Sequence, residues 1–358
     1  MDSPQKGSAS RHFKLLLDLL VVALVAFALY TVLSQRSSLA RTLRVIRGAD
    51  LRLIGVAFGL EAVSYLGYSY FFYRLCRPGT PRFTFPRALH TQVTAYGIGN
   101  VTPGGGAGGL YFYYKGLTNN GCTPERSVAY VVVANLVSGA VLAAFFCLGA
   151  VMTTVTGLLS SGYAAAALAG AALLSGVFAA CFWLLVRTDV LLSSLRWLRP
   201  RLLKVSRGRI RLSEKVDETV VESGAQLRSF LGGRGRLSGA MAGSVGYWAF
   251  DMLCLAACFL AFSRGVNLWV LLFGYGIGMA MMVVPVTHGG LGLVEGSLVL
   301  VYVAMGIRPE VAIAGVLAYR LFSFWLPIAA GLIGLSMFPL RRRAEEPSGE
   351  LAPELGKT

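Results

Sequence analysis

Charge is scarce in this chain: of 358 residues only 14% are Asp, Glu, Lys or Arg, and the acidic ones number 17 against 33 basic. Soluble domains carry about a quarter charged residues, so an ordinary water-facing globule is excluded. Histidine is rarer still, three in all, and none sits in the H-E-x-x-H pattern of a zinc protease. The cysteines, Cys76, Cys122, Cys147, Cys181, Cys254 and Cys258, are scattered and form no C-x-x-C pair. That argues for packing as small hydrophobes rather than for metal or redox work. No glycine run leads into G-K-[ST] and no G-x-S-x-G occurs, which removes a P-loop and a hydrolase elbow. Neither a cofactor nor a metal is expected.

Apolar length is what the chain has instead. Hydrophobic residues make up 55% and the mean hydropathy is +0.64. Runs of the roughly 20 residues that a helix needs to cross the hydrocarbon core lie at Phe13–Leu33, Leu51–Tyr73, Ser127–Leu158, Tyr163–Val186, Leu237–Phe262 and Val311–Leu335. Two further segments, His90–Tyr114 and Leu268–Met305, are apolar but interrupted. The first run follows a basic head (Lys6, Arg11, Lys14), exceeds a signal-peptide core and has no small-x-small cleavage site after it, so it reads as a retained span.

The expected fold is therefore all-α, a polytopic membrane protein of about eight membrane elements. Two of these are glycine-broken re-entrant hairpins, 90–114 and 268–305. Residues 1–12 make a cytoplasmic head, 13–186 the first membrane half, 187–236 a basic linker, 237–340 the second half, and 341–358 a cytoplasmic tail expected to be disordered. Short Lys/Arg-rich segments stay inside, which places the head, the Arg74–Arg87 loop, the linker and the Arg341–Arg343 tail in the cytoplasm. Arg36, Arg41, Arg44 and Arg47 would then lie outside, against that rule. The linker reads as amphipathic helices on the anionic leaflet or as a solvated connector. The net charge of +16 flanks the spans, so lipid headgroups rather than nucleic acid are the expected partner.

The two broken segments align. "GIGNVTPGGGAGGLYFYYKGL" precedes "TPERSVAYVVV", and "GIGMAMMVVPVTHGGLGLVEGSLVLVYVAMGI" precedes "RPEVAIAGVLAYRL". Gly97-Ile98-Gly99 answers Gly276-Ile277-Gly278, Pro103 answers Pro285, and Pro124-Glu125 answers Pro309-Glu310. With an even number of crossings on each side of the linker, this is an inverted repeat, which offers two nearly equivalent states open to opposite sides. Irregular backbone at membrane depth is tolerated only inside protein or along a wet cavity. The clusters Gly104-Gly105-Gly106, Gly108-Gly109 and Gly289-Gly290 with Gly292 are thus expected to build a polar cavity, where half-helix N-termini could seat an anion. Glycines that only let helices pack closely are the plainer reading.

Ionisable groups inside spans mark function by default, and four lie deep: Glu61, Asp251, Glu295 and Arg320. Arg320 is a candidate for an anionic headgroup or for pairing Glu295. Glu61 and Asp251 are candidates for proton or ion coupling, or for satisfying backbone at helix breaks. His90, Gln92, Thr102, Asn135 and Thr287 add polar groups near the breaks, and Asn100 and His288 could bind a ligand phosphate or cap a half-helix. No catalytic residue is expected.

The stretches "NVTPGGGAGG" and "VTHGGLGLVEGSLVLVYVAMGIRPEVAIAGVLAYRL" resemble the transmembrane region of the lysylphosphatidylglycerol synthase/flippase family. The resemblance covers Phe13 to about Pro339, with its specific signal in the two glycine turns and the last span. It implies re-entrant helices and a role in moving or presenting charged phospholipids, anionic or aminoacylated, or lipid-linked substrates between leaflets of the cell membrane. The family's Pro-Gly-Gly-x-Gly-x-x-Glu motif falls on Gly289, Gly290, Gly292 and Glu295, and its following arginine on Arg320. His288 stands where the family has proline, and Leu110 and Tyr111 stand where an acidic residue follows the first turn. The family's synthases carry a separate soluble acyltransferase domain; this chain ends soon after Arg343, so no transferase activity is expected of it alone. A membrane-embedded transferase, or a non-catalytic partner of a lipid-synthesis complex, is the alternative. A second copy or a separate synthase is the expected protein partner.

Overall fold

The computed structural model describes residues 47–102, 107–205, 215–263, 265–281 and 291–337. The expected span Phe13–Leu33, Arg36, Arg41, Arg44, the tail, Gly104–Gly106 and His288–Gly290 lie outside the described residues. Everything regular among the described residues is helical.

Helix α1, Leu51–Cys76, starts where the Asp50 carboxylate accepts Arg52 N (2.9 Å), supplying an acceptor that a helix start lacks. Pro78 and Gly79 close it in a 3-10 turn. Helix α2, Phe85–Val101, carries Pro86 in its first turn, where a missing N–H costs nothing. Then come α3 (Ala107–Thr118), α4 (Pro124–Val155) and α5 (Ser161–Val186). The linker folds as α6 (Thr188–Val205) and α7 (Lys215–Gly232). Leu227 and Phe230 of α7 are buried in the main core, so its apolar face goes to protein. Helix α8 (Arg234–Phe262) is followed by α9 (Leu268–Met281), α10 (Leu293–Ala304) and α11 (Pro309–Arg320). A π turn at Leu321–Trp325 joins α11 to α12, Leu326–Ser336.

Among the described residues five helices are long and apolar enough to cross a membrane: Leu51–Gly79, Pro124–Val155, Ser161–Val186, Arg234–Phe262 and Pro309–Ser336. At 1.5 Å per residue a 12-residue helix such as α3 or α10 spans only about 18 Å, short of the roughly 30 Å core.

The bundle is organised around α1 and α8, which run antiparallel over their whole length. Asp50 N donates to Ala261 O (3.0 Å) at one end, Ser64 Oγ to Tyr247 O (2.9 Å) midway, and Arg74 Nη2 to Gly235 O (2.7 Å) at the other. The close approach is made by small residues: a Cβ on Gly243 would sit 2.8 Å from both Gly67 O and Phe71 N.

Both broken segments double back. In the first, Gly109 of α3 packs on the Ala95 carbonyl of α2, and Gly116 on Thr91. Arg87 Nη1 donates to Asn120 Oδ1 (2.7 Å), so the end of α3 returns to the start of α2. In the second, the Tyr302 ring of α10 lies over Gly274 of α9, Leu298 over Gly278, and Tyr302 Oη donates to Leu271 O (2.9 Å).

Each doubled-back pair ends in the same turn. Gly121 and Gly306 both adopt φ +89°, a conformation that costs glycine little. Cys122 N and Ile307 N reach back to Leu117 O (3.2 Å) and Tyr302 O (2.9 Å), and Gly121 N and Gly306 N to Thr118 O and Val303 O, both at 3.0 Å. This is the paired closure of helix carbonyls around a left-handed residue. Pro124-Glu125 and Pro309-Glu310 then start the next long helices, each with its acid in the first turn, where the helix dipole favours it.

Basic segments gather at one end of the bundle. Arg74 meets Gly235, Arg126 Nε bonds Glu222 Oε1 (2.9 Å), and Arg228 Nη1 donates to Val186 O (2.8 Å). At that end His90 Nε2 also lies 3.0 Å from Gly334 O.

Candidate functional site: a polar cavity and a buried ion pair

At the first break the chain leaves a cavity of about 800 Å³ between α2, α3, α4 and α8. Gln92, Asn100 and Asn135 supply amides, Ser138 a hydroxyl, and Tyr68, Tyr96, Tyr113, Tyr114, Tyr247 and Trp248 an aromatic wall. Tyr113 Oη donates to Gln92 Oε1, and Trp248 Nε1 donates to both the carbonyl (2.8 Å) and the hydroxyl (3.0 Å) of Ser138. Asn135 lines the cavity and gives one of its two amide hydrogens to Val131 O (2.8 Å). Asn100 Nδ2 is buried beside the Tyr96 hydroxyl, short of full hydrogen-bond geometry. The rim is apolar and open: Leu110, Val128 and Val132 are 47%, 38% and 40% exposed. Farther along α4 and α8 lies an apolar groove of about 540 Å³, lined by residues such as Val141, Phe145, Phe182, Phe230 and Met241.

Beside the second break Glu295 and Arg320 satisfy one another, whereas Glu61 Oε2 is buried without a hydrogen bond. Glu295 Oε2 accepts Gly292 N (2.7 Å) at the start of α10, and its Oε1 takes Arg320 Nε (2.6 Å). The carboxylate thus occupies the N-terminal seat of α10 that an outside anion would use. The Arg320 side chain is 3% exposed and stacks 4.3 Å over Phe324. Beside it, Asp251 accepts Tyr319 Oη (3.1 Å to each oxygen) and Tyr275 Oη. Glu61, 3% exposed, turns its carboxyl to that of Asp251, next to Cys254.

The sequence-derived candidates divide between these two places. Asn100, Gly109, Gln92 and Asn135 meet at the cavity; Glu61 of α1 joins Asp251 of α8 beside the Glu295–Arg320 pair of the second half. Asn100 sits in the last turn of α2, so it starts no helix. Thr102 turns its hydroxyl back to Ile98 O (2.6 Å) and packs on Gly108. Gly292 takes φ +78° at the α10 start.

The family described as Lysylphosphatidylglycerol synthase TM region matches residues 15–331. The chain belongs to this family. A UPF0104 membrane protein of Pyrococcus horikoshii is 23% identical over 327 residues, covering 87% of this chain and 94% of the relative. Two stretches of UPF0104 membrane proteins of Methanothermobacter thermautotrophicus match more locally. One is 27% identical over 128 residues (36% of this chain, 38% of the relative) and the other 34% over 90 residues (25% and 26%). As a member of the lysylphosphatidylglycerol synthase TM family, the chain is a multi-pass membrane protein, and both breaks, the cavity and the ion pair fall inside the matched region.

Sequence reasoning missed the phenols. Tyr68, Tyr96, Tyr113 and Tyr247 wall the cavity, whereas the sequence singles out only charged, amide, threonine and histidine side chains. The available signal was the abundance of tyrosine, 15 residues, many of them inside runs where a hydroxyl needs a partner.

Proposed function

We propose that this chain moves an amphipathic lipid between membrane leaflets, its headgroup passing through the cavity at the first break while the acyl chains stay in hydrocarbon. One observation carries this reading: the cavity holds a few polar groups, Gln92, Asn100, Asn135 and Ser138, in a largely aromatic and aliphatic lining, and it is bordered by exposed apolar residues, Leu110 on the short α3 and Val128 and Val132 on the membrane-length α4. A soluble ligand would have no use for an apolar doorway; a lipid needs both. The apolar groove along α4 and α8 extends the surface available to an acyl chain.

In this reading the two doubled-back segments are re-entrant hairpins of an inverted repeat, with the basic end of the bundle facing the cytoplasm. Their matched turns at Gly121 and Gly306 support it, as does their shortness against the hydrocarbon thickness. The second half, held shut by Glu295 and Arg320, is the counterpart of the open first half, and transport exchanges the two. Glu61 and Asp251 are the proposed coupling pair. Two facing carboxyls share a proton far more readily than they bear two charges, and Tyr275, Tyr319, Cys254, Cys258 and Arg320 surround them.

The test is reconstitution of the full chain into liposomes carrying tail-labelled lipids, with bleaching by a membrane-impermeant reductant. Wild type should expose the inner-leaflet pool faster than empty liposomes, and Arg320→Ala should slow exchange at least about tenfold, the effect of 1.4 kcal/mol. A pH gradient should bias the direction in wild type and not in Asp251→Asn. Wild-type rates equal to those of empty liposomes, for every lipid and with a gradient imposed, would overturn the reading.

A further inference from the structure

The cavity carries no ionised side chain among the described residues. Its lining consists of amides, phenols, one serine, one indole and apolar groups. The residues between α2 and α3, Pro103 and Gly104–Gly106, bring no side-chain charge by their identity. This is unlike the second half, and the difference is positional. Leu110 precedes Gly121 by as many residues as Glu295 precedes Gly306, and Asn135 follows Gly121 by as many as Arg320 follows Gly306. Where the second half holds a carboxylate and a guanidinium, the first offers an isobutyl group and an amide, both on the cavity wall.

We infer that the headgroup accepted by this cavity is uncharged and rich in hydroxyls, a glycosyl or polyol head, rather than a phosphate or an aminoacyl ammonium. The inference rests on the translocation reading of the same cavity. An anion brought out of water needs a cation or several donors in return, and among the described residues no side-chain cation lines the cavity. A quaternary ammonium would be welcomed by the aromatic faces but makes no hydrogen bonds. It would offer no partner to the buried Asn100 amide or to the Asn135 amide on the wall, and a polar group covered without a partner is costly. A hydroxyl both donates and accepts, so one hexose or polyol can answer both amides. The wall suits its other face. Tyr68 and Tyr247 meet edge to face at 5.0 Å, and Tyr247 and Trp248 are tilted against each other at 4.6 Å; the negative quadrupole of an aromatic ring attracts the C–H side of a sugar. The volume, about 800 Å³, falls within the range of about 300–1,000 Å³ of small-molecule sites.

The experiment compares acyl-labelled monoglucosyl diacylglycerol, phosphatidylglycerol, lysyl-phosphatidylglycerol and phosphatidylcholine in the same liposomes, with retention of each lipid by the detergent-solubilised full chain measured by native mass spectrometry. The glucosyl lipid should move and be retained preferentially, by about tenfold. Asn100→Ala and Asn135→Leu should each remove most of that preference with unfolding temperatures unchanged. Asn135→Arg, which copies the second half, should turn the preference toward phosphatidylglycerol. Preference of wild type for phosphatidylglycerol, its lysyl derivative or phosphatidylcholine in both assays overturns the headgroup inference and leaves translocation standing. Preferential retention of the glucosyl lipid without movement of any lipid keeps the inference and overturns translocation. Equal retention of all four lipids, unchanged by the Asn variants, overturns the inference.

Discussion

Pro327 has no backbone N–H to give the carbonyl of Ser323 four residues earlier, and that carbonyl is taken up by the hydroxyls of Tyr65 (3.4 Å) and Tyr96 (3.3 Å) from two other helices. A missing donor in one helix thus ties α1 and α2 to the segment that follows Arg320. Removing one hydroxyl leaves the carbonyl the other, whereas Tyr65→Phe with Tyr96→Phe removes both side-chain donors. The double variant should therefore lose about 2 kcal/mol, more than the two singles together, as read by thermal unfolding in detergent. Arg320 obeys the same logic with charge. Arg320→Ala strands the Glu295 carboxylate and should cost about 3 kcal/mol. Adding Glu295→Leu should recover part of that loss, because an apolar pair tolerates burial better than a lone charge does. A double variant less stable than Arg320→Ala would show that the cap on Gly292 outweighs the stranded charge.

Among elements, the α1–α8 pairing depends on what is absent between the helices. A side chain at Gly243 would meet backbone atoms of α1, which cannot rotate away, so Gly243→Val should cost about 2–3 kcal/mol by overpacking and lower the unfolding temperature. Helix α7 is held to α4 in a different way. Burial alone would raise the pKa of the Glu222 carboxyl, but hydrogen bonds from Gln226 Nε2 (2.8 Å) and Arg126 Nε (2.9 Å) outweigh it and hold Glu222 below the usual glutamate range. A carboxyl depressed in the folded state contributes stability above its unfolded pKa and loses it as pH falls through the folded value. The stability difference between wild type and Glu222→Gln should accordingly be present at about pH 6 and vanish toward about pH 3. A pH-independent difference would mean that the Arg126–Glu222 contact does not hold α7.

For the whole molecule, orientation follows from which ends meet. Arg74, Arg126, Glu222 and Arg228 share one end, while Asp50 meets Ala261 at the other, so all crossings are tied to a single choice of side. In a cysteine-free background in native vesicles, Arg82→Cys and Glu218→Cys should react with an impermeant maleimide from the cytoplasmic face. Leu158→Cys and Gly265→Cys should react from the opposite face. Labelling of Arg82→Cys and Leu158→Cys from the same side would break the proposed topology.

Spans were legible because the cost of hydrocarbon acts on composition. Leu51–Tyr73 and Tyr163–Val186 were located within a few residues of α1 and α5. Breaks were legible because proline and glycine act on their own backbone, and the Pro-Glu signals before α4 and α11 stand where they were expected. Even the alternative that Arg320 pairs with Glu295 followed from the expense of lone charge in lipid. What composition and local pattern could not supply was partnership between distant residues. Tyr68 of α1, Tyr113 of α3 and Tyr247 of α8 become one wall only because small residues let α1 and α8 close on each other and α3 fold back on α2. The sequence by itself thus determined a multi-pass helical chain interrupted twice. Only the tertiary packing decided that uncharged groups line the cavity beside the first interruption while Glu295 and Arg320 pair beside the second. Lipid selects residues one at a time, but a cavity is a property of the space between helices.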